Sequence, residues 1–368
     1  MTVDVRINGY SLRDVLVGPP SISDSTDAVC RVLDVAVRNV EGIGTLMGKE
    51  IELWYGGKRW YHGWVQKRGI DTSGNTTLTA YDGLFFFKKH TDDFYFKNMT
   101  ATQVIKALAP RVGVRVAGLA NTGAVFKALW YPGGAADKIA VDVLVRTFKA
   151  NGKKFWLRYD PVAQGISLFE RVKPTEAWAF LSTVNLVEAS YEESAEDMFN
   201  VVKLVDRETG KVAIRRDAKS VTDYLQRQHF EEVDKDAVKM IGKLADQKLK
   251  ELSKIDVSMS MSGINPDNTM PQLFSGDVVY VEEKITGIVG AYHIDNVKQE
   301  FVNDKLITIA ADLKYAIDIP ALQYDDATTK PDFLKTAKEK EAEKKAEAAK
   351  KKKEKKDKKA GTKTDTKK

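Results

Sequence analysis

Apolar residues Val29, Leu33, Val35 and Val37 alternate with smaller or polar neighbours near the start of the chain. That period of two is the pattern of a strand with one buried face. Residues 3–7 make a shorter run of the same kind, broken at Asn8-Gly9, a good hairpin turn because both residues tolerate positive φ. Residues 51–55 turn at Gly56-Gly57 into residues 59–67, and residues 76–81 close the set. Residues 1–88 therefore read as a compact all-β barrel or sandwich. The run Leu84-Phe85-Phe86-Phe87 ends it as an apolar plug.

The period then changes. Thr100-Ala101-Thr102-Gln103 fits a capping box, in which the hydroxyl and the Gln side chain satisfy orphan backbone donors, and Val104, Ile105 and Leu108 supply the apolar face of the helix that follows. Pro110 ends that helix. A second helix is predicted over residues 136–150, with Ile139, Val143 and Phe148 inward and a stop at Asn151-Gly152. Residues 154–159 and 166–171 flank a turn and read as a hairpin. Residues 89–185 are thus an inserted α+β domain.

The first block is echoed later in the chain. Ser21-Ile22-Ser23-Asp24-Ser25-Thr26-Asp27 aligns without a gap on Ser190-Tyr191-Glu192-Glu193-Ser194-Ala195-Glu196, and strand-like runs follow at residues 29–37 and 198–206. Gly48-Lys49-Glu50-Ile51-Glu52-Leu53 matches Gly276-Asp277-Val278-Val279-Tyr280-Val281, leading to closing strands at Leu78-Thr79-Ala80 and Ile307-Thr308-Ile309. A repeat this long is a β-domain used twice and not a solenoid. The second copy is assigned residues 186–217 and 255–320. Between them, residues 218–254 form a helical excursion whose Tyr224, Leu225, Val238, Ile241, Leu244, Leu249 and Leu252 recur at a loose helical period.

Composition adds one correction to this picture. The net charge of +6 is carried by the end of the chain, because residues 332–368 hold 16 Lys against 8 Asp and Glu, leaving 42 basic and 44 acidic residues before them. This Lys/Glu/Ala segment lacks an apolar stripe, so residues 321–368 are expected to be a disordered tail. It reads as a solvated extension, with Lys350, Lys351, Lys352, Lys353, Lys355 and Lys356 as candidate contacts to an anionic partner such as nucleic acid, wall polymer or lipid head group. No apolar run approaches the roughly 18 residues of a membrane span, and the N-terminus carries no secretory signal, so a cytoplasmic origin is expected. The single Cys30, on an alternating strand, excludes a disulfide framework and reads as a buried small hydrophobe.

Catalysis needs a converging acid, base or nucleophile, and none is legible. His62 and His293 fall on predicted strands, His90 follows a charged turn and His229 lies in the excursion, each without a second ligand at metal spacing along the chain. Glu192-Glu193 and Glu282-Glu283 are adjacent, so on a strand their carboxylates point to opposite faces. Phosphate-binding, nucleotide and nucleophile-elbow motifs are missing. The expected sites are therefore no catalytic, no cofactor and no metal residues. Trp54, Tyr55, Trp60, Tyr61 and Trp64 cluster with Lys58, Arg59 and Lys67 on one hairpin, where they read as core and subunit contact, with base or sugar stacking as the alternative.

Several of these segments resemble the baseplate hub proteins of phage tails, the late-control-D-like group of contractile particles. They are residues 48–57, Gly63-Trp64-Val65, Leu78-Thr79-Ala80-Tyr81-Asp82, residues 94–103, residues 276–281 and Gly290-Ala291-Tyr292-His293-Ile294. The resemblance covers about residues 1–320. It implies a mainly β, α+β chain with two tail-tube-like β-barrel domains. It also implies a homotrimer that adapts a six-fold tail tube to a three-fold spike and lines the channel for DNA. Tube, spike, other baseplate proteins and a tape-measure protein are the implied partners, in a virion assembled in the host cytoplasm. A tail-associated wall-binding or wall-degrading protein is the alternative from another class, and the hub of a tail-like bacteriocin or injection particle is the third reading.

Overall fold

The computed structural model describes residues 3–38, 46–171, 177–233, 240–266, 270–316 and 323–324. The first strands are β1 (Val3–Ile7), β2 (Tyr10–Ser11), β3 (Ser21–Ser25), β4 (Val32–Arg38), β5 (Glu50–Tyr55), β6 (Lys58–Ile70) and β7 (Asn75–Tyr81). The middle of the chain forms α1 (Phe85–Lys88), β8 (Thr91–Thr100), α2 (Ala101–Leu108), β9 (Arg115–Leu119), β10 (Val125–Ala135), α3 (Ala136–Asn151), β11 (Phe155–Asp160), β12 (Gly165–Glu170) and β13 (Trp178–Leu181). The remainder gives β14 (Leu186–Ser194), β15 (Val201–Val205), β16 (Val212–Arg216), α4 (Ala218–Tyr224), β17 (Gln228–Glu232), α5 (Ile241–Leu252), β18 (Asp256–Pro266), β19 (Val278–Glu283), β20 (Ile288–Asn303) and β21 (Leu306–Lys314). The chain is mainly β, and it packs as two compact units.

One unit holds residues 4–17 and 27–173. Its main sheet runs β4-β7-β6-β5-β1-β2 and follows the alternation read from sequence, with Leu33, Val35, Ile51, Leu53, Leu78 and Ala80 buried. Asn8 and Gly9 both have positive φ and turn β1 into β2 as the hairpin reading requires. The inserted segment packs α2 and α3 with the β8–β10 ribbon and the β11–β12 hairpin around Phe87, Phe94, Ile105, Leu129, Ile139 and Val143. Phe87 is thus a core residue of this unit. The Thr100 cap forms as expected, its hydroxyl accepting from Gln103 N–H at 3.3 Å while the Gln103 side chain accepts from Thr100 N–H at 2.8 Å. Such caps contribute about 1 kcal/mol.

The other unit holds residues 18–26 and 174–317. Its main sheet runs β14-β18-β21-β20-β3, with β19 also on β20 and β13 parallel to β19. The early strand β3 is therefore built into the unit that is otherwise formed by the second half of the chain. A separate sheet, β16-β15-β17, carries α5 on a small core of Val202, Leu204, Ala213 and Ala245.

The repeat is visible in the pairing. Gly48 N–H donates to Val65 O at 2.7 Å and Val65 N–H to Lys49 O at 3.0 Å; Gly276 N–H donates to Ile294 O at 2.7 Å and Ile294 N–H to Asp277 O at 2.9 Å. Gly48 and Gly276 both adopt positive φ, which a side chain would strain. A bulge follows at the same place, between Val65 and Lys67 against β7 and between Ile294 and Asn296 against β21. By this register β5, β6 and β7 correspond to β19, β20 and β21.

Three sequence expectations are corrected. Thr79, opposite Lys67, corresponds to Asp312, opposite Asn296, and not to Thr308, because β20 and β21 run further before they turn. Residues 201–215 do not continue the second β-domain: they pair with β17 in the separate sheet, and the counterpart of β4 is β18, since both pair with the closing strand. The excursion is also not helical throughout. Gln228–Glu232 is a strand, because its alternate residues His229 and Glu231 face inward from a parallel pairing with β15. No sheet closes on itself among the described residues.

Candidate functional site

The register of β5 on β6 sets Glu52 opposite His62 and leaves Glu50 diagonal to it on the same face. Ligand atoms of Glu50, Glu52 and His62 come within 4.8 Å of one another. Spacing along the chain conceals this group, because strand pairing and not sequence proximity assembles it. His62 is buried, with Nε2 on Glu50 Oε1 and Nδ1 at 2.8 Å from the Tyr159 hydroxyl. Its ring stacks on Tyr159 and stands edge-on to Trp64. Glu52 accepts from Trp54 Nε1 at 2.8 Å and pairs with Arg59 at 3.2 Å. Burial pushes the Tyr159 phenol up, with the charges of Asp82 and Glu50 adding to the effect, so it is a neutral donor or acceptor.

Both nitrogens of His62 are engaged within the protein, and each carboxylate has a partner. A metal held by these three side chains would break the hydrogen bond between His62 Nε2 and Glu50, and one bound at Nδ1 would displace Tyr159. The arrangement suits a polar strut that ties the β5–β6 hairpin to β11.

The other sequence candidates resolve individually. Cys30 is buried in the core around Phe87 and Phe94. His229 hydrogen-bonds Glu231 at 3.0 Å. Tyr55, Trp60 and Tyr61 are buried, and Trp64 packs against Phe86 and Tyr159. Trp54 is covered by the guanidinium groups of Arg6 and Arg59 at 5.3 and 5.0 Å, so the face of its ring is used by the chain's own cations. Tyr55, Trp60 and Tyr61 are thus core, while Lys58 and Lys67 are exposed. Lys350, Lys351, Lys352, Lys353, Lys355 and Lys356 lie outside the described residues.

Sequence reasoning missed Asp142. It is buried on α3 and accepts from Tyr131 OH at 2.8 Å, Arg146 Nε at 2.6 Å, and the backbone amides of Gln323 and Tyr324 at 3.1 and 3.2 Å. Arg146 also donates to the Tyr324 carbonyl, the Tyr324 hydroxyl accepts from Ala135 N–H at 3.0 Å, and its ring lies edge-on to Tyr131. One buried carboxylate thus anchors the residues that precede the Lys-rich segment.

The fold that carries these features is one found in phage tail proteins. The fold matches that of a 43 kDa tail protein of prophage MuSo2 from Shewanella oneidensis, with a TM-score of 0.61 at 14% identity, covering 85% of this chain and 98% of that one. The chain belongs to the YqbQ-like family, whose sequence profile matches residues 21–313. Uncharacterized protein YqbQ of Bacillus subtilis is 28% identical over 243 residues, 64% of this chain and 73% of YqbQ. The phage-like element PBSX protein XkdQ of the same organism is 26% identical over 254 residues, 68% of this chain and 76% of XkdQ. The likeness to phage baseplate hubs read from the sequence stands.

Proposed function

We infer that this chain is the baseplate hub of a phage or phage-like tail. Three copies would form a ring of six related β-domains, matching a six-fold tail tube on one side and a three-fold spike on the other. The observation that carries this reading is the duplicated hydrogen-bond pattern at Gly48/Val65 and Gly276/Ile294, in a chain with the fold of a phage tail protein. Two equivalent domains per chain are what a trimer needs to present six equivalent positions. In this reading each domain is a tail-tube-like barrel whose open edges are paired by ring closure. The inserted segment and residues 218–254 sit outside or below the ring and hold it together.

The channel passes DNA and a tape-measure protein without holding them. Its lining should therefore be polar and not strongly basic, since each phosphate contact adds salt-dependent affinity. The role is structural and non-enzymatic, in a virion assembled in the host cytoplasm. Among the described residues no helix is long and apolar enough to cross a membrane. The similarity to XkdQ, a protein of a phage-like element, favours a second reading as hub of a tail-like particle. Both readings use the same ring.

Light scattering behind size exclusion tests the assembly. The expected mass is three times the 41.1 kDa chain, with coaxial rings when tube and spike proteins are added. Monomers alone at tens of micromolar, and no rings with the partners present, would remove the hub reading.

A further inference from the structure

Strands β3 and β14 contain the two copies of the first sequence echo, and they are in different circumstances. β3 lies antiparallel on β20, with Ser25 opposite Asn296, Asp24 opposite Val297, Ser23 opposite Lys298 and Ile22 opposite Gln299. It continues along the edge that β19 occupies, because β21 takes the other edge over the same residues. The strand equivalent to β20 is β6, and Val65 stands where Ile294 stands. Past the shared bulge, Lys67, Arg68, Gly69 and Ile70 stand where Asn296, Val297, Lys298 and Gln299 stand. Here β7 takes one edge, the β5 pairing ends with Glu50 opposite Trp64, and among the described residues no strand follows β5 along Lys67–Ile70. β14, for its part, pairs with β18 on one edge and is the terminal strand of its sheet.

We propose that this open stretch of β6 receives β14 from a second copy of the chain. The pairing is antiparallel, with Ser194 opposite Lys67, Glu193 opposite Arg68, Glu192 opposite Gly69 and Tyr191 opposite Ile70. The inference rests on the ring reading above and supplies the contact through which the ring closes between chains.

Burial is the first support. In the occupied site Ile22 and Gln299 are 0% and 1% exposed, whereas their counterparts Tyr191 and Ile70 are 37% and 57% exposed. Across the whole motif, residues 21–25 are buried or half-buried and residues 190–193 are all exposed. An apolar pair at matching positions on two open strand edges is an association site.

Charge is the second. The β6 stretch offers Lys67 and Arg68, whose Nε has no hydrogen-bond partner, and β14 offers Glu192 and Glu193. The register sets Glu193 directly across from Arg68 and Glu192 diagonal to Lys67, where opposite charges attract. The occupied site shows how such a carboxylate is used: Asp24 Oδ2 accepts from the Ser275 backbone amide at 3.0 Å. Met47 is the counterpart of Ser275, and its amide would face Glu193 in the docked pair. Each chain has one β14 edge and one β6 edge, so the contact is head-to-tail, the type that a three-membered ring requires.

Cysteine pairs test the register in the full chain, on a Cys30→Ala background. Residues directly opposite in an antiparallel pair have Cβ atoms close enough to bridge. Arg68→Cys with Glu193→Cys should give covalent dimers and trimers on mild oxidation, about tenfold faster than the shifted pair Arg68→Cys with Tyr191→Cys. A charge exchange keeps the test independent of the disulfide. Arg68→Glu should lower the trimer fraction about fivefold at low salt, and adding Glu193→Arg should restore it. Trimers that form without the in-register cross-link, or that cross-link faster through the shifted pair or only within one chain, overturn this register and leave the hub reading intact. Failure of the unmodified chain to assemble, even with tube and spike proteins, overturns both.

Discussion

At the residue scale, Asp142 gathers four hydrogen bonds onto one carboxylate. It is fully buried, and one of these bonds is charge-assisted, from Arg146. Burial and the Asp142 charge together push the Tyr131 phenol well up, which keeps it a donor. Asp142→Ala removes the charge partner of Arg146 and the acceptor of the Tyr131 hydroxyl and of two amides, and should cost about 3 kcal/mol, read as a lower midpoint in urea unfolding. Asp142→Asn, which retains an acceptor oxygen, should cost less. A lone Asp on an amphipathic helix reads from sequence as solvent-facing, and its partners lie on β10 and at residues 323–324. Nothing local announces them. The His62 group was hidden for the same reason, since its members meet only through the β5–β6 register and the approach of Tyr159 from β11.

At the element scale, legibility followed the strength of the local pattern. β4, β5 and β7 alternate cleanly and were read correctly, and the Thr100 box and the Gly152 stop bounded α2 and α3. β8 and β10 were not read, because Asp92-Asp93 and Pro132-Gly133-Gly134 interrupt their alternation. They are strands by virtue of pairing with each other, Phe94 opposite Tyr131 and Phe96 opposite Leu129. β17 is a similar case: five mostly polar residues held by β15 and by a link to α5, in which Glu231 takes His229 at 3.0 Å and Lys248 at 2.9 Å. The hydrogen bond from His229, then that from Lys248, holds the Glu231 carboxyl below its ordinary range. A depressed carboxyl stabilises fully above its unfolded pKa and loses that contribution as pH falls through the folded value. Hydrogen-exchange protection in β17 and α5 should therefore decline below the ordinary carboxylate range, while β4–β7 keep theirs. Glu231→Gln should abolish this acid dependence; a decline of equal size in the variant would show that Glu231 is not its source.

At the scale of the whole molecule, the duplication was legible as a repeat of motifs, but its three-dimensional use was not. Sequence matching assigned β15 as the counterpart of β4, and only the hydrogen-bond register shows that β18 has that part and that β3 belongs to the unit built by the second half of the chain. The end of the chain poses the same problem of scale. Composition alone treats residues 321–368 as one tail, yet Gln323 and Tyr324 are bound to Asp142, Arg146 and Ala135. Two truncations separate the anchor from the Lys-rich segment. Ending the chain after Pro331 removes the net charge of +8 with little apolar burial, and should leave the urea midpoint and assembly unchanged. Ending it after Leu322 also removes the Tyr324 ring from Tyr131 and two amides from Asp142, and should cost about 1–3 kcal/mol. Retention on an anionic polymer should fall for both truncations alike and weaken steeply with salt in the full chain, if Lys350–Lys356 bind anions. Loss of assembly on removal of residues 332–368 would show that the Lys-rich segment is part of the ring, and salt-independent retention would show that its charge is not what binds.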